Sequence, residues 1–149
     1  MSVFQWTEKY SVHVELFDRQ HRILFRTSEE LNEALHKGQG KVVVGKIIQR
    51  LVDAATTHFA DEEVALALKA YPDLRLHRDE HKALLDELLN FQREYQAGTL
   101  GVAARMMPFL QRWLSDHIMQ ADKQYEALFA EEENVTALVK SKSTAGGAL

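Results

Sequence analysis

Apolar residues recur three and four places apart along four long stretches of this chain, the spacing that lines one face of an α-helix. Leu24, Phe25, Leu31 and Leu35 form the first stripe, between Asp18 and His36, and Gly38 and Gly40 end it. Val44, Ile47, Ile48, Leu51, Val52, Ala55, Phe59 and Val64 form the second. Tyr71-Pro72 stops that run, because proline lacks a backbone donor and disfavours helix in the residue before it. Leu84, Leu85, Leu88 and Phe91 carry the third, from about Asp73 to Tyr95, closed by Gly98. The fourth begins near Gly101 with Met106, Met107, Phe109, Leu110, Trp113, Leu114 and Ile118, and holds through Tyr125 and Phe129. No stretch alternates apolar and polar residues as a half-buried strand would. The pattern predicts an all-α chain folded as an up-down-up-down antiparallel four-helix bundle with short turns. Pro108 lies inside the fourth pattern, where it either marks a helix start nearer residue 107 or kinks a longer helix.

Residues 1–133 are expected to form this one domain. Within it, residues 1–17 are not helix-periodic but carry Phe4, Trp6, Tyr10, Val12, Val14 and Phe17, which predicts an arm packed along the bundle. Glu131, Glu132 and Glu133 suit a solvated helix end. From residue 134 the periodicity fades into small and polar residues, which predicts a frayed tail over 134–149.

Composition narrows the chemistry. A chain of 149 residues, 46% hydrophobic, can bury a core without a disulfide. It has no cysteine, which excludes thiolate metal sites and iron–sulfur clusters and leaves nitrogen and oxygen as the only metal donors. A net charge of −4 with scattered Lys and Arg offers no basic field, so nucleic acid is not expected as a partner. Neither a leader-like start nor a span of ~20 apolar residues is present, so the expectation is a soluble, cytoplasmic monomer without membrane insertion.

Five of the seven histidines stand on the apolar stripes, so their side chains point inward. His21 lies on the first stripe. His58 with Glu62, and His77 with His81, are four residues apart, a turn of about 400° that puts each pair on one helix face. His117 continues the fourth stripe. Asp122 follows it by five residues, about 500°, which leaves the two side chains some 140° apart on an ideal helix, so helix geometry alone does not select it. Its carboxylate would have to approach from the side, or the helix would have to be locally distorted. Together these groups are too many for one tetrahedral ion and imply two metals, which the two carboxylates can bridge. Two octahedra filled this way, with a bridging oxygen, leave one position open, suited to a small neutral ligand. The spare histidines, His13 and His36, fit no ligand spacing; His36 stands where a helix C-terminus favours a cation.

These residues also fall in recognisable motifs: W-T-E-K-Y-S-V near the start, D-R-Q-H at Asp18 to His21, H-F-A-D-E-E at His58 to Glu63, Y-P-D-L-R-L-H-R-D-E-H at Tyr71 to His81, and W-L-S-D-H-I-M-Q-A-D at Trp113 to Asp122. From about Val3 to Phe129 the chain resembles the hemerythrins, most closely the single-domain bacterial ones. Myohemerythrin, of that family, is itself a standard example of the four-helix bundle. The resemblance implies two iron ions with a bridging oxo or hydroxo group. His77, His81 and His117 would hold one iron, His21 and His58 the other, and Glu62 and Asp122 would bridge. It further implies dioxygen binding at the second iron, beneath a pocket matched here by Phe59, Trp113, Leu114 and Ile118. The one departure is His13, at a place in the S-V-x-V segment where the family has glycine.

Reversible dioxygen binding, for storage or delivery to an oxygen-consuming enzyme, is therefore the expected function, without enzymatic activity. Sensing through a partner protein is one alternative. A diiron enzyme reducing peroxide or nitric oxide is the other. Five neutral imidazoles donate less negative charge than a carboxylate-rich site, which argues against oxygenase chemistry.

Overall fold

A computed structural model of the chain describes residues 4–131 and 134–147. Four long helical stretches follow one another: α1 (Glu15–His36), α2 (Lys41–Leu68), α3 (Leu74–Gln96) and a fourth that starts as α4 (Val102–Arg112). The fourth continues through a π-helical segment (Trp113–His117), a single turn α5 (Ile118–Gln120) and a 3₁₀ segment (Asp122–Phe129). Short connections turn each helix back on the last, and α1 packs on α2, α2 on α3, α3 on α4 and α4 on α1. Among the described residues there is no strand, and no helix is long and apolar enough to cross a membrane.

Each turn has a local cause. Gly38 and Gly98 adopt left-handed backbone (φ 64° and 85°), letting Gln39 N–H reach the Ala34 carbonyl and Thr99 N–H the Glu94 carbonyl past the helix ends. After α2 the same turn is made without glycine, by Ala70 at φ 51°. Pro108 does not start the fourth helix; it sits within α4.

The arm lies along α1 as expected. Phe4, Tyr10, Val12 and Val14 are buried, the Tyr10 ring stands 4.9 Å from Phe25, and the Arg22 guanidinium lies 4.8 Å from the Trp6 ring. Buried Asp18, in the first turn of α1, anchors it by accepting from Ser11 Oγ at 2.6 Å and Val12 N–H at 2.9 Å. Met1 to Val3 lie outside the described residues.

Beyond the fourth helix the chain departs from expectation. Instead of a frayed tail from residue 134 there is a further helix, α6 (Val135–Gly147), packed on α2 and α1. Two valines four places apart, Val135 and Val139, are enough to seat it, because the bundle end offers a ready apolar surface of Phe17, Leu66 and Phe129. Of the acidic run, Glu131 is exposed, whereas Glu132 and Glu133 lie outside the described residues, as do Ala148 and Leu149 of the tail.

The core is divided in two. One apolar cluster fills the body of the bundle and includes Leu24, Ala55, Phe59, Leu114 and Ile118. The second closes the end with Val12, Phe17, Ala65, Leu66, Tyr125 and Phe129. Along α1, α2 and the fourth helix, the residues between these clusters are His21, His58 with Glu62, and His117 with Asp122. A polar layer is thus clamped between two apolar ones.

Candidate metal centre

All seven residues singled out in the sequence meet in that layer, none more than 8% exposed: His21, His58, Glu62, His77, His81, His117 and Asp122. They form two overlapping groups. Atoms of Glu62, His77, His81, His117 and Asp122 lie within 4.8 Å of one another, as do atoms of His21, His58, Glu62 and Asp122. Both carboxylates belong to both groups.

Each carboxylate divides its oxygens between the groups. Asp122 Oδ1 stands 3.1 Å from His77 Nε2 and 3.0 Å from His117 Nε2, while its Oδ2 stands 3.2 Å from His21 Nε2. Glu62 Oε1 contacts His77 Nε2 and lies 3.1 Å from His81 Nε2, while Oε2 lies 3.1 Å from His58 Nε2. Donors about 2.1 Å from a common ion and at right angles stand about 3 Å apart, so these separations, which also suit hydrogen bonds, fit ligands around a cation.

Hydrogen bonding points the same way. His58 Nδ1 donates to Gln20 Oε1 at 2.7 Å, which leaves the lone pair on Nε2, and that atom faces His21 Nε2 at 2.9 Å. His81 Nε2, His117 Nε2 and both oxygens of Asp122 are buried without a hydrogen-bond partner. Burying so many convergent acceptors is costly unless something positive lies among them. The donor set of imidazole and carboxylate without sulfur suits a divalent first-row metal such as iron.

Without a metal, protons take that role. Burial alone would lift the Glu62 carboxyl, but His58, His77 and His81 hold it well below the carboxylate range. Burial and the Glu62 charge would also lift Asp122, yet the imidazoles of His117 and His21 hold it below its ordinary value. Burial disfavours a charged His77, but Asp122 and Glu62 outweigh it and push its pKa up to about 10. His81 and His117 are raised against the same burial, and His58 is lowered because burial prevails there.

Asp122 reaches the layer because the fourth helix is irregular on both sides of His117. The π-helical segment from Trp113 widens the turn before it, and at Ala121 (φ −97°) the chain tightens into the 3₁₀ segment that Asp122 begins. Local distortion, rather than side approach along a regular helix, brings the carboxylate in.

The four candidate pocket residues are all buried within the larger apolar cluster. Phe59 stacks on His81 with ring centroids 4.0 Å apart and lies 5.6 Å from Trp113. Leu114 and Ile118 are 1% and 2% exposed. Beside Trp113, a groove of about 610 Å³ between α3 and the fourth helix is lined by His77 and His117 together with Tyr71, Glu80 and Leu84.

Four contacting residues were not selected by the sequence pattern. Gln20 accepts from His58, Glu63 from His81 at 3.1 Å and Glu80 from His117 at 3.0 Å, while the buried Tyr125 hydroxyl donates to Glu62 Oε2 at 2.8 Å. Their signal was adjacency: Gln20, Glu63 and Glu80 each directly neighbour His21, Glu62 or His81 in the chain. Outside the layer, His36 accepts no such role; its Nδ1 donates to the Asn32 carbonyl at the end of α1. His13 has φ 58°, a left-handed conformation natural for glycine, and its ring contacts Glu126.

Comparison with known proteins agrees with this geometry. The chain is 27% identical to the bacteriohemerythrin of Pseudomonas aeruginosa over 146 residues, covering 98% of this chain and 93% of that protein. It is 29% identical to the bacteriohemerythrin of Methylococcus capsulatus, covering 84% of this chain and 95% of that one. A crystal structure of wild-type hemerythrin superposes with a TM-score of 0.80 at 28% identity, covering 86% of this chain and 98% of the other. Residues 12–129 match the family model described as the hemerythrin HHE cation binding domain, and over that span, most of its length, the chain belongs to the hemerythrin family.

Proposed function

We propose that the protein binds dioxygen reversibly at a centre of two iron ions, storing it or handing it to an oxygen-consuming enzyme. The observation that carries this reading is the division of both carboxylates: Glu62 and Asp122 each give one oxygen to the His77, His81 and His117 group and the other to the His21 and His58 group. In this reading they would hold both metals, together with an oxo or hydroxo group.

Two ferrous ions supply the two electrons that dioxygen accepts on binding. The chain's residues do the rest. Its five imidazoles would be shared unequally, three to one ion and two to the other, so the His21 and His58 side would have room for a further ligand. Those two are the least exposed of the histidines, at 1% each. Phe59, Trp113, Leu114 and Ile118 exclude water, and with it the protons that would turn reversible binding into loss of the iron electrons. An organic substrate would need room that the Phe59 and Trp113 rings fill, so the reading is a binder rather than an enzyme.

Anaerobic loading with ferrous ion tests the centre. The chain should take up two irons and then one dioxygen, and Glu62→Ala should hold clearly fewer than two. Two irons retained in Glu62→Ala would contradict the bridging role.

A further inference from the structure

Different chemistry stands behind the histidines at the two ends of the site. On the three-histidine side, His81 Nδ1 donates to the Glu63 carboxylate at 3.1 Å and His117 Nδ1 to the Glu80 carboxylate at 3.0 Å. On the other side, His58 Nδ1 donates to a neutral amide, Gln20 Oε1, at 2.7 Å. That amide cannot turn round, because its Nε2 donates to Asp61 Oδ2 at 2.7 Å. His21 Nδ1 is buried and has no hydrogen-bond partner.

A carboxylate that accepts the N–H of a ligating imidazole draws the proton towards itself and makes the ring a stronger, more negative donor; an amide does so far less. Stronger donation and nearby negative charge both favour the higher charge of a metal ion. Neither acid dominates. Glu63 is the less exposed, at 26% against 55%, but Arg78 Nε stands 3.4 Å from its Oε1.

Resting on the two-iron reading above, we propose that Glu63 and Glu80, acting through His81 and His117, are positioning residues that fix the order of oxidation. The iron on the three-histidine side gives up its electron first, and the iron held by His21 and His58 stays ferrous longer. With ferricyanide as oxidant, the first step takes one electron from that iron and forms ferrocyanide, with no bond made or broken and no proton moved. The consequence is a division of labour: the buried end keeps the ferrous ion that meets dioxygen, and the end beside the groove is the readier electron source.

The test is an anaerobic redox titration of the protein loaded to two irons per chain, with Mössbauer spectra to confirm one ferric and one ferrous ion after the first electron. Glu63→Gln and Glu80→Gln should each raise the first potential, by up to about tenfold in the one-electron equilibrium, or ~59 mV. Gln20→Glu should instead lower the second potential. Glu80→Asp keeps the charge and should restore the first potential towards that of the unaltered protein. The proposal is overturned if neither Gln variant moves the first potential, if Gln20→Glu moves the first rather than the second, or if Glu80→Asp shifts it as far as Glu80→Gln. A wild-type chain that takes up fewer than two irons would instead sink the two-iron reading, and this inference with it.

Discussion

Leu114 is 1% exposed and shares a cluster with Phe59, Trp113 and Ile118, so cutting it back to alanine would leave a cavity that the packed helices cannot fully close. Leu114→Ala should cost about 2–5 kcal/mol of stability and, by admitting water beside the centre, shorten the life of the oxygenated form. The visible spectrum followed over time checks this, and an unchanged autoxidation rate would contradict the dry wall. The same residues show why most of the site was legible in sequence. His58 with Glu62, and His77 with His81, obey the four-residue helical repeat, so an inward face could be read directly. Gln20, Glu63 and Glu80 were legible only as neighbours of those ligands, because they reach the layer from beside the apolar stripe and otherwise look like ordinary surface residues. His13 was visible as an oddity only through the family motif; its φ of 58° and its contact with Glu126 give the oddity a physical form.

At the scale of the helix, the informative element is the π-helical segment Trp113–His117, which amounts to one extra residue in the fourth helix. Regular periodicity places His117 and Asp122 on different faces, and no sequence signal within these residues announces the change of turn. Pro108 is the nearest irregularity that sequence shows, five residues before the segment begins. Removing Ser115, a half-buried residue within it whose hydroxyl bonds back to the Gln111 carbonyl at 2.7 Å, should restore a plain α-helical period. Because the wide turn already absorbs that extra residue, the residues beyond would keep their faces relative to α4, and His117 and Asp122 should stay in the layer. Circular dichroism should show helix content near that of the parent, with bound iron held at the parent's two per chain. Bound iron well below that of the parent would show instead that the wide turn does not absorb one extra residue.

Over the whole molecule, the buried layer trades stability for chemistry, and protons hold it together when metal does not. His77, raised to about 10, adds stability that is complete below its ordinary value of 6.5 and is lost as pH climbs towards 10. Glu62 and Asp122, held low, add stability that is present above the ordinary carboxylate range and is lost as pH falls through their lowered values. His58, lowered by burial, works against the fold as acid protonates the unfolded chain. The urea midpoint of the metal-free protein should therefore drop both in acid and between pH 7 and pH 10. Metal should flatten the alkaline limb by displacing the His77 proton. A metal-free midpoint that does not change from pH 7 to pH 10 would contradict the ion-paired layer. The bundle itself was legible because four stripes of helical period leave few ways to bury them. Helix α6 was not, because two valines carry no period of their own and gain meaning only from the apolar end of the bundle on which they land.

The central claim is reversible binding, and an anaerobic titration of the diferrous protein with dioxygen tests it most directly, with the visible spectrum followed through addition and removal of the gas. A ligand-to-iron charge-transfer band that saturates at one dioxygen per two irons and vanishes on degassing is the result this account predicts. Irreversible consumption of dioxygen, leaving ferric iron that degassing does not restore, would contradict it.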